Sequence, residues 1–411
     1  MRSASGPMPS WSSPGRARDG HRRVADPRHR CGSVSRVRIA QIVPRGEQPW
    51  SGVLTVLVHL AAGLAERGHD VEVWQFHEWP PGDYEELRRR LNAAGVLEVP
   101  MSEGRRSRRA AALAERRGID VVHLHGAFNV TNTLVSRSLR RPYVFSPHSG
   151  YDPVSLRRHR ARKVLYRVLF ERAMLERASL LVALTEAELA DLRRFGASAP
   201  AVVIPNGVER PPADLDRGAF RRELRIGADD LLAVFVGRLD VYRKGLDVLV
   251  RGIAAAPGWH LAMLGPNFRD LDRLEALIEQ LGMGDRIHLV GERRGRGLQE
   301  SVAGADLFAM LSRWEGMPMA LLEALSLSVP AVVSPAVERA IGVDAAGAGW
   351  VAEERDLGPL LSRLRDADRR ELTRRKEAAV LLSSKYDWDE VAERYENVYE
   401  RALPPGRRVS S

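Results

Sequence analysis

Residues Ser312–Pro330 read SRWEGMPMALLEALSLSVP, with two carboxylates, Glu315 and Glu323, on either side of Pro318. Proline is tolerated in the first turn of a helix and breaks its interior, so the stretch predicts a helix beginning near Pro318. Glu315 then lies in the loop feeding the helix, and Glu323 on its second turn. At about 1.5 Å of rise per residue the two point to places roughly 10 Å apart. That separation suits gripping two parts of one elongated ligand better than sharing a proton. Glu323 is the only charged residue from Gly316 to Val337. Leu321, Leu322 and Leu325 form one arc of the helix, and Glu323 falls opposite, beside Met319, Ala320 and Ala324. Solvated helix faces usually carry several charges; on spacing alone, a plain solvent face and a ligand-gripping face are both open.

Working outward, the surrounding half alternates short apolar strands with helices. LLAVFVG, WHLAMLG, RIHLVG, DLFAML and PAVVSP read as strands, separated by helices near 245–256, 269–281, 297–304 and 318–328. The half before it does the same. VRIAQIVP, from Val37, is followed by a loop through Trp50, Ser51 and Gly52, a helix closed by Gly68, and the strand VEVWQF. An Arg-rich helical region, the strands IDVVHLH and PYVFSPH, a basic amphipathic helix over about 155–177, LLVAL and AVVIPNGV complete it. Thr185 and Glu188 have capping-box spacing for the helix after LLVAL, and PPADLD reads as a linker. Alternating β and α with short apolar strands predicts parallel sheets covered on both faces. The fold class is therefore α/β, with two doubly wound, Rossmann-like domains facing across a cleft at the carboxyl ends of their strands. The first half has no G-x-G-x-x-G and no acidic residue ending its second strand, which argues against dinucleotide binding there.

Composition sets limits on function. The chain has 411 residues, 44% hydrophobic and 28% charged, long enough for two ordinary domains. No apolar run approaches the roughly 18–20 residues of a membrane span. The single cysteine, Cys31, excludes an intramolecular disulfide and fits a reducing compartment, so a cytoplasmic location is expected. The net charge of +10 fits nucleic acid, acidic substrates or an anionic membrane, and equally a coding bias toward arginine. With 6% aromatic residues and no stacking motif, nucleic acid is not an expected partner. Basic stretches at Arg88–Arg90, Arg105–Arg109, Arg116–Arg117 and Arg157–Arg162 all fall in the first half, where they suit an anionic bilayer surface or a solvated face. Residues 1–35 are rich in Arg, Ser, Pro and Gly and lack the apolar centre of a secretory signal; they are expected to be disordered, as are residues 404–411.

The residues that suggest chemistry lie at strand ends. Gly237 permits a tight turn after LLAVFV, and Arg238 and Lys244 follow on the way into the next helix, making a plausible anion site. Two fixed cations can stabilise the charge that builds on a departing diphosphate, as a metal does elsewhere. No Asp-x-Asp motif stands where a diphosphate-bound metal would be expected, so transfer without metal is expected. His123 and His125 share one face of their strand, where a metal pair is conceivable, but no third ligand is adjacent.

Taken together, E-G-x-P with a second Glu eight positions after the first, the GRL…KG run, D-V-V-H-L-H and the SPHSGYDP loop resemble the retaining glycosyltransferases of family 4, which have the GT-B fold. The resemblance covers roughly Val37 to Leu403. It implies domains at 36–209 (acceptor-binding) and 210–386 (nucleotide-sugar-binding), and a helix at 387–403 that crosses back to the first domain. It assigns Glu315 to hydroxyls of the donor sugar, Glu323 to the ribose, Arg238 and Lys244 to the diphosphate, and His125 to the cleft beside the reacting carbon. His148 would line the acceptor side. Gly52 and Gly237 would let backbone approach the donor, backbone N–H groups of Gly316, Met317 and Met319 would meet sugar or phosphate, and the base would pack near Gly291 and Glu292. Three departures stand out: Met317 where Phe is usual, Ser149 where Gly is common, and Ser51-Gly52 in place of two glycines. The implied activity is retaining, metal-independent transfer of a hexosyl unit, with no cofactor, from a UDP- or GDP-linked sugar to a lipid-linked or cell-envelope glycan at the inner face of the membrane. A small soluble acceptor, a GT-B-type nucleotide-sugar epimerase and an inactive sugar-nucleotide-binding relative are the alternatives.

Overall fold

The computed structural model describes residues 36–47, 51–76, 84–101, 106–151, 156, 166, 170–267, 270–366 and 369–405. The expectations for residues 1–35 and 406–411, for Trp50, for Arg105 and Arg157–Arg162, and for most of the basic helix near 155–177 lie outside these; Arg172–Arg177 is helical.

Two all-parallel sheets form. The first has seven strands, β1 (Arg38–Val43), β2 (Asp70–Gln75), β3 (Leu97–Pro100), β4 (Val121–His125), β5 (Tyr143–Ser146), β6 (Leu180–Ala183) and β7 (Ala201–Val203), in the order β3-β2-β1-β4-β5-β6-β7. The second has six, β8 (Leu231–Val236), β9 (Trp259–Leu264), β10 (Ile287–Gly291), β11 (Leu307–Met310), β12 (Ala331–Val333) and β13 (Gly349–Val351), in the order β10-β9-β8-β11-β12-β13. Both are doubly wound: the order runs outward from β1 or β8 and reverses beside it. Central strands such as β4, β5, β6 and β11 are buried along their whole length, as strands covered on both faces must be. β3 and β13 were not expected. The first occupies part of the region read as continuous helix, and the second adds an edge to the other sheet.

Four helices position the residues of interest. α1 (Gly52–Glu66) starts at Ser51, whose side chain accepts from Leu54 N–H. Gly52 is thus the first helical residue, not part of the preceding loop, because the Ser51 cap begins the helix one position earlier. α2 (Val241–Lys244) is a single turn capped by Asp240. Gly245, at φ +65, separates it from the following helix, and a Cβ there would lie 2.2 Å from the Leu311 carbonyl oxygen. Arg238 and Lys244 are therefore divided by a helical turn where an open loop was expected. α3 (Met319–Ser326) begins after Pro318, as its sequence predicts, with Leu321, Leu322, Ala324 and Leu325 buried.

α4 (Trp388–Ala402) follows the second sheet in sequence and packs on the first. Trp388, Val391, Tyr395, Val398 and Tyr399 join the core formed by β1, β2 and α1. Burying each such side chain contributes roughly 1.5–3 kcal/mol. Ala392 lies against Gly63, where an added Cβ would come within 3.3 Å. The two crossings between the halves meet: Val208 pairs with Asp387, and its N–H donates to the Tyr386 carbonyl at 2.6 Å. The Trp388 ring covers Gly207 so closely that a Cβ would sit 2.3 Å from its Cδ2.

Candidate active site

The carboxyl ends of the two sheets face each other across a crevice. A Cβ on Gly316 would come within 2.8 Å of Ser149 Cβ, and one on Gly52 within 3.6 Å of Met319 Cγ. The Glu315–Pro318 loop and the start of α3 thus meet the His148–Gly150 turn and the start of α1.

On the second-sheet side the charges converge. Lys244 Nζ lies 2.5 Å from Glu315 Oε1, and the Arg243 guanidinium 3.7 Å from Oε2. The pair is mostly shielded, with 13% of the Lys244 and 7% of the Glu315 side chain exposed. Burial pushes the Glu315 carboxyl toward protonation, but Lys244 and Arg243 outweigh it and hold the group below its ordinary value. Gly237, at φ +148, opens the turn, and a Cβ there would come within 3.8 Å of Lys244 Cε. Arg238 follows it, half-buried. The Met317 side chain does not face the crevice. It is buried in the second core, its Sδ accepts from Asn206 N–H, and its carbonyl accepts from the Asn206 amide. Only its backbone N–H is left to offer a ligand. Gly291 ends β10 at φ +82 and its carbonyl accepts from Gly265 N–H. Glu292 pairs with Arg294.

Glu323 occupies a different environment. Burial, and secondarily the charge of Glu209, push its carboxyl up to about 7. Glu209 itself pairs with Arg90 and lies 3.6 Å from His59 Nδ1. Glu315 is therefore a committed anion, while Glu323 is balanced between two protonation states near neutrality.

On the first-sheet side the histidines are neutral. His123 and His125 stand side by side on β4, ring centroids 3.9 Å apart. His123 bonds the Tyr399 hydroxyl and Ser146; His125 bonds Gln41 and His148. All four ring nitrogens are occupied, which removes the metal-pair reading. Among the described residues no group of three or more His, Cys, Asp or Glu is arranged to hold a metal ion. Burial lowers both pKa values well below the ordinary histidine range, and brings His148 down to about 4. His148, Ser149 and Gly150 all have positive φ, +52, +70 and +104. Only glycine adopts this freely, so the turn needs restraint. Glu188 supplies it by accepting from Ser149 N–H at 2.5 Å and Leu184 N–H at 2.6 Å. The Thr185 hydroxyl caps the helix as its spacing predicts, but Glu188 turns away from the capping box to do this.

Gln41, Glu209, Arg243 and Tyr399 escaped the sequence reading, and Glu188 was read only as a capping residue. Gln41 had a signal, a lone amide in the apolar strand RIAQIV. Tyr399 showed only helical packing periodicity.

Elsewhere the basic stretches are partly neutralised: Arg88 pairs with Glu98, Arg90 with Glu209 and Arg117 with Glu72. Among the described residues no helix is long and apolar enough to cross a membrane.

Two Rossmann-like domains with the ends of their strands opposed, and a last helix returned to the first, define the GT-B class. The family models for "Glycosyltransferase Family 4" and "Glycosyl transferases group 1" match residues 50–210 and 216–379. The chain belongs to glycosyltransferase family 4 and is a hexosyltransferase. It is 28% identical over 328 residues to a D-inositol 3-phosphate glycosyltransferase of Actinosynnema mirum, covering 70% of this chain and 78% of that one. It is 26% identical over 307 residues to a GDP-mannose:cellobiosyl-diphosphopolyprenol alpha-mannosyltransferase of Xanthomonas campestris, covering 71% and 77%. The fold matches Anabaena Alr3699/HepE, solved with UDP and glucose, at a TM-score of 0.71 and 19% identity over 88% of this chain and 99% of that one.

Proposed function

We propose that the protein transfers a hexosyl unit from a nucleoside-diphosphate sugar, UDP- or GDP-linked, to a hydroxyl of a lipid-linked or cell-envelope glycan, with retention and without a metal. The observation that carries this reading is the partly shielded Lys244–Glu315–Arg243 cluster at the crevice, beside the Gly237 turn. In this reading Lys244, Arg243 and Arg238 meet the diphosphate, Glu315 accepts hydrogen bonds from sugar hydroxyls, and Glu323 accepts from the ribose. The first N–H groups of α3 lack intrahelical acceptors, as at any helix start, and face the same ligand. Gly52 lets the start of α1 approach it, and the base packs near Gly291.

The reaction breaks the bond between the anomeric carbon and the phosphate oxygen and forms one to the acceptor oxygen on the same face. The acceptor's proton passes to the departing phosphate. Fixed cations lower the barrier because negative charge grows on that phosphate as the bond breaks. His125 and His148 stay neutral, and His148, held by the buried His125, orients a hydroxyl, so they add no competing cation on the acceptor side. A hollow of about 420 Å³ beyond the first sheet, lined by Arg45, Phe76, Phe128, Val130 and Leu134, supports an acceptor with both an anionic and an apolar part. Val130 and Leu134 are exposed.

A thermal-shift panel of UDP-, GDP- and ADP-sugars tests the donor half. One donor class should stabilise the wild type by mass action, and Arg238→Ala and Glu323→Ala should both lose the shift. Stabilisation by none of the three donors would overturn it. The anomeric configuration of the product, read by NMR, tests retention.

A further inference from the structure

The two cleft histidines are the end of a longer hydrogen-bond chain whose other end is α4. Tyr399 Oη lies 2.9 Å from Gln41 Nε2 and 2.8 Å from His123 Nδ1. Gln41 Oε1 lies 2.7 Å from His125 Nε2, and His125 Nδ1 lies 2.8 Å from His148 Nε2. Gln41, His123 and His125 are fully buried and Tyr399 is 1% exposed, so water does not complete these bonds.

With the Gln41 amide standing as it does, its oxygen toward His125, the direction of each bond follows from what the groups can do. An amide NH₂ only donates, so the Tyr399 oxygen accepts from Gln41 and its O–H goes to His123 Nδ1. The amide oxygen only accepts, so His125 carries its proton on Nε2. A neutral imidazole has one N–H, which leaves His125 Nδ1 as a lone pair receiving the His148 Nε2–H. His148 Nδ1 is then a lone pair too, and it bonds none of the described residues. Rotating the Gln41 amide by half a turn would reverse each arrow and put an N–H at that nitrogen. His148 is held at φ +52 beside Ser149, which touches Gly316 across the crevice. Backbone strain of this kind is retained where a side chain must be aimed.

We propose that Gln41 and Tyr399 are positioning residues that lock His125 and His148 in the Nε2–H tautomer, so that His148 offers a hydrogen-bond acceptor, Nδ1, to a substrate hydroxyl. The part of this that concerns substrate rests on the function proposed above; the tautomer chain does not. Because Tyr399 lies on the helix that follows the second sheet, the polarity of the first domain's site is set by an element arriving from beyond the other domain. The seating of α4 is secured separately. Glu396 accepts from Arg67 at 2.6 Å and meets His69 Nε2 at 3.0 Å, partners that are not members of the chain.

The test records long-range proton–nitrogen spectra of the ¹⁵N-histidine-labelled full-length protein without substrate, together with steady-state kinetics. Wild type should show the Nε2–H pattern for both rings. Tyr399→Phe should convert His148 to a tautomer mixture and lower kcat by roughly 10–100-fold, the range typical when an outer partner of a functional histidine is removed, with the donor KM little changed. Gln41→Met, which deletes both amide groups at similar length, should do the same. Glu396→Gln should lower the melting temperature yet leave both tautomers in place. A wild-type His148 with its proton on Nδ1, or Tyr399→Phe with unchanged tautomers, would overturn the chain. A tautomer change with unaltered kcat would overturn the placement of His148 at the substrate.

Discussion

The two walls of the crevice solve opposite electrostatic problems. The second domain gathers charge: Lys244 and Arg243 converge on Glu315, and together they outweigh the burial that would otherwise protonate it. The first domain keeps its histidines uncharged: His123, His125 and His148 are held neutral by burial and joined by hydrogen bonds to Gln41, Ser146 and Tyr399. A ligand with a charged end and a neutral, hydroxyl-rich end would be read end by end by such a pair of walls. The contrast also says which substitutions should hurt most. Removing a partner from a shielded ion pair strands a charge, whereas removing a member of a neutral chain only frees a direction.

The largest effect should come from Lys244→Met. It leaves Glu315 buried with only Arg243 nearby, and breaking such a pair costs about 3–5 kcal/mol, expected here near the lower bound. Transfer should fall by roughly 10²–10³, as when a donor to developing charge is lost. Urea unfolding and single-turnover rates measure the two, and a variant with wild-type stability would show that the charged wall is not cohesive. Next is Gly207→Ala, at the junction of the walls. A methyl 2.3 Å from the Trp388 ring must displace it, costing roughly 1–3 kcal/mol by overpacking; an unchanged urea midpoint would contradict this.

A pH titration sharpens the comparison at Glu323. Its carboxyl, raised from 4.5 to about 7 by burial and then by Glu209, is protonated below neutrality in the free protein. Between these two values the folded protein holds a proton that the unfolded chain has released, so this group's contribution to stability falls as pH rises through the window. Donor affinity should run the other way, rising between pH 6 and 8 as the carboxylate becomes available to the ribose. Glu209→Gln removes the like charge and should move that midpoint to lower pH; calorimetric titration across pH decides it. The smallest effects should come from Arg88→Gln and Arg117→Gln. Their pairs with Glu98 and Glu72 are partly exposed, and each should change stability by no more than about 1 kcal/mol.

Much of the scaffold was legible because parallel strands buried on both faces are short apolar runs. β4, β8, β11 and β12 could each be read directly. β3 and β13 could not. β3 is a four-residue edge strand with both ends exposed, and β13 is an edge strand that opens on glycine and ends exposed, so neither forms a continuous buried apolar run. Pro318 announced the start of α3, and Ser51 and Thr185 cap as their chemistry requires. In the site, Glu315 and Lys244 were each visible, but their pairing spans 71 positions and only the fold brings them together. Tyr399 was passed over because in sequence nothing sets it apart from the apolar and aromatic residues around it on α4. Its hydroxyl acquires a role only once α4 lies against β1 and β4. The rotation of Glu188 out of its capping box was hidden for the same reason, since the strained Ser149 turn that attracts it is distant in sequence.

The most direct test of the two-walled account is calorimetric titration of the nucleoside diphosphate alone, UDP and GDP in turn, against wild type, Lys244→Met and His125→Phe. The account predicts that Lys244→Met loses at least about tenfold in affinity, some 1.4 kcal/mol, while His125→Phe binds like wild type yet transfers sugar poorly. Loss of diphosphate affinity in His125→Phe with full affinity in Lys244→Met would contradict it.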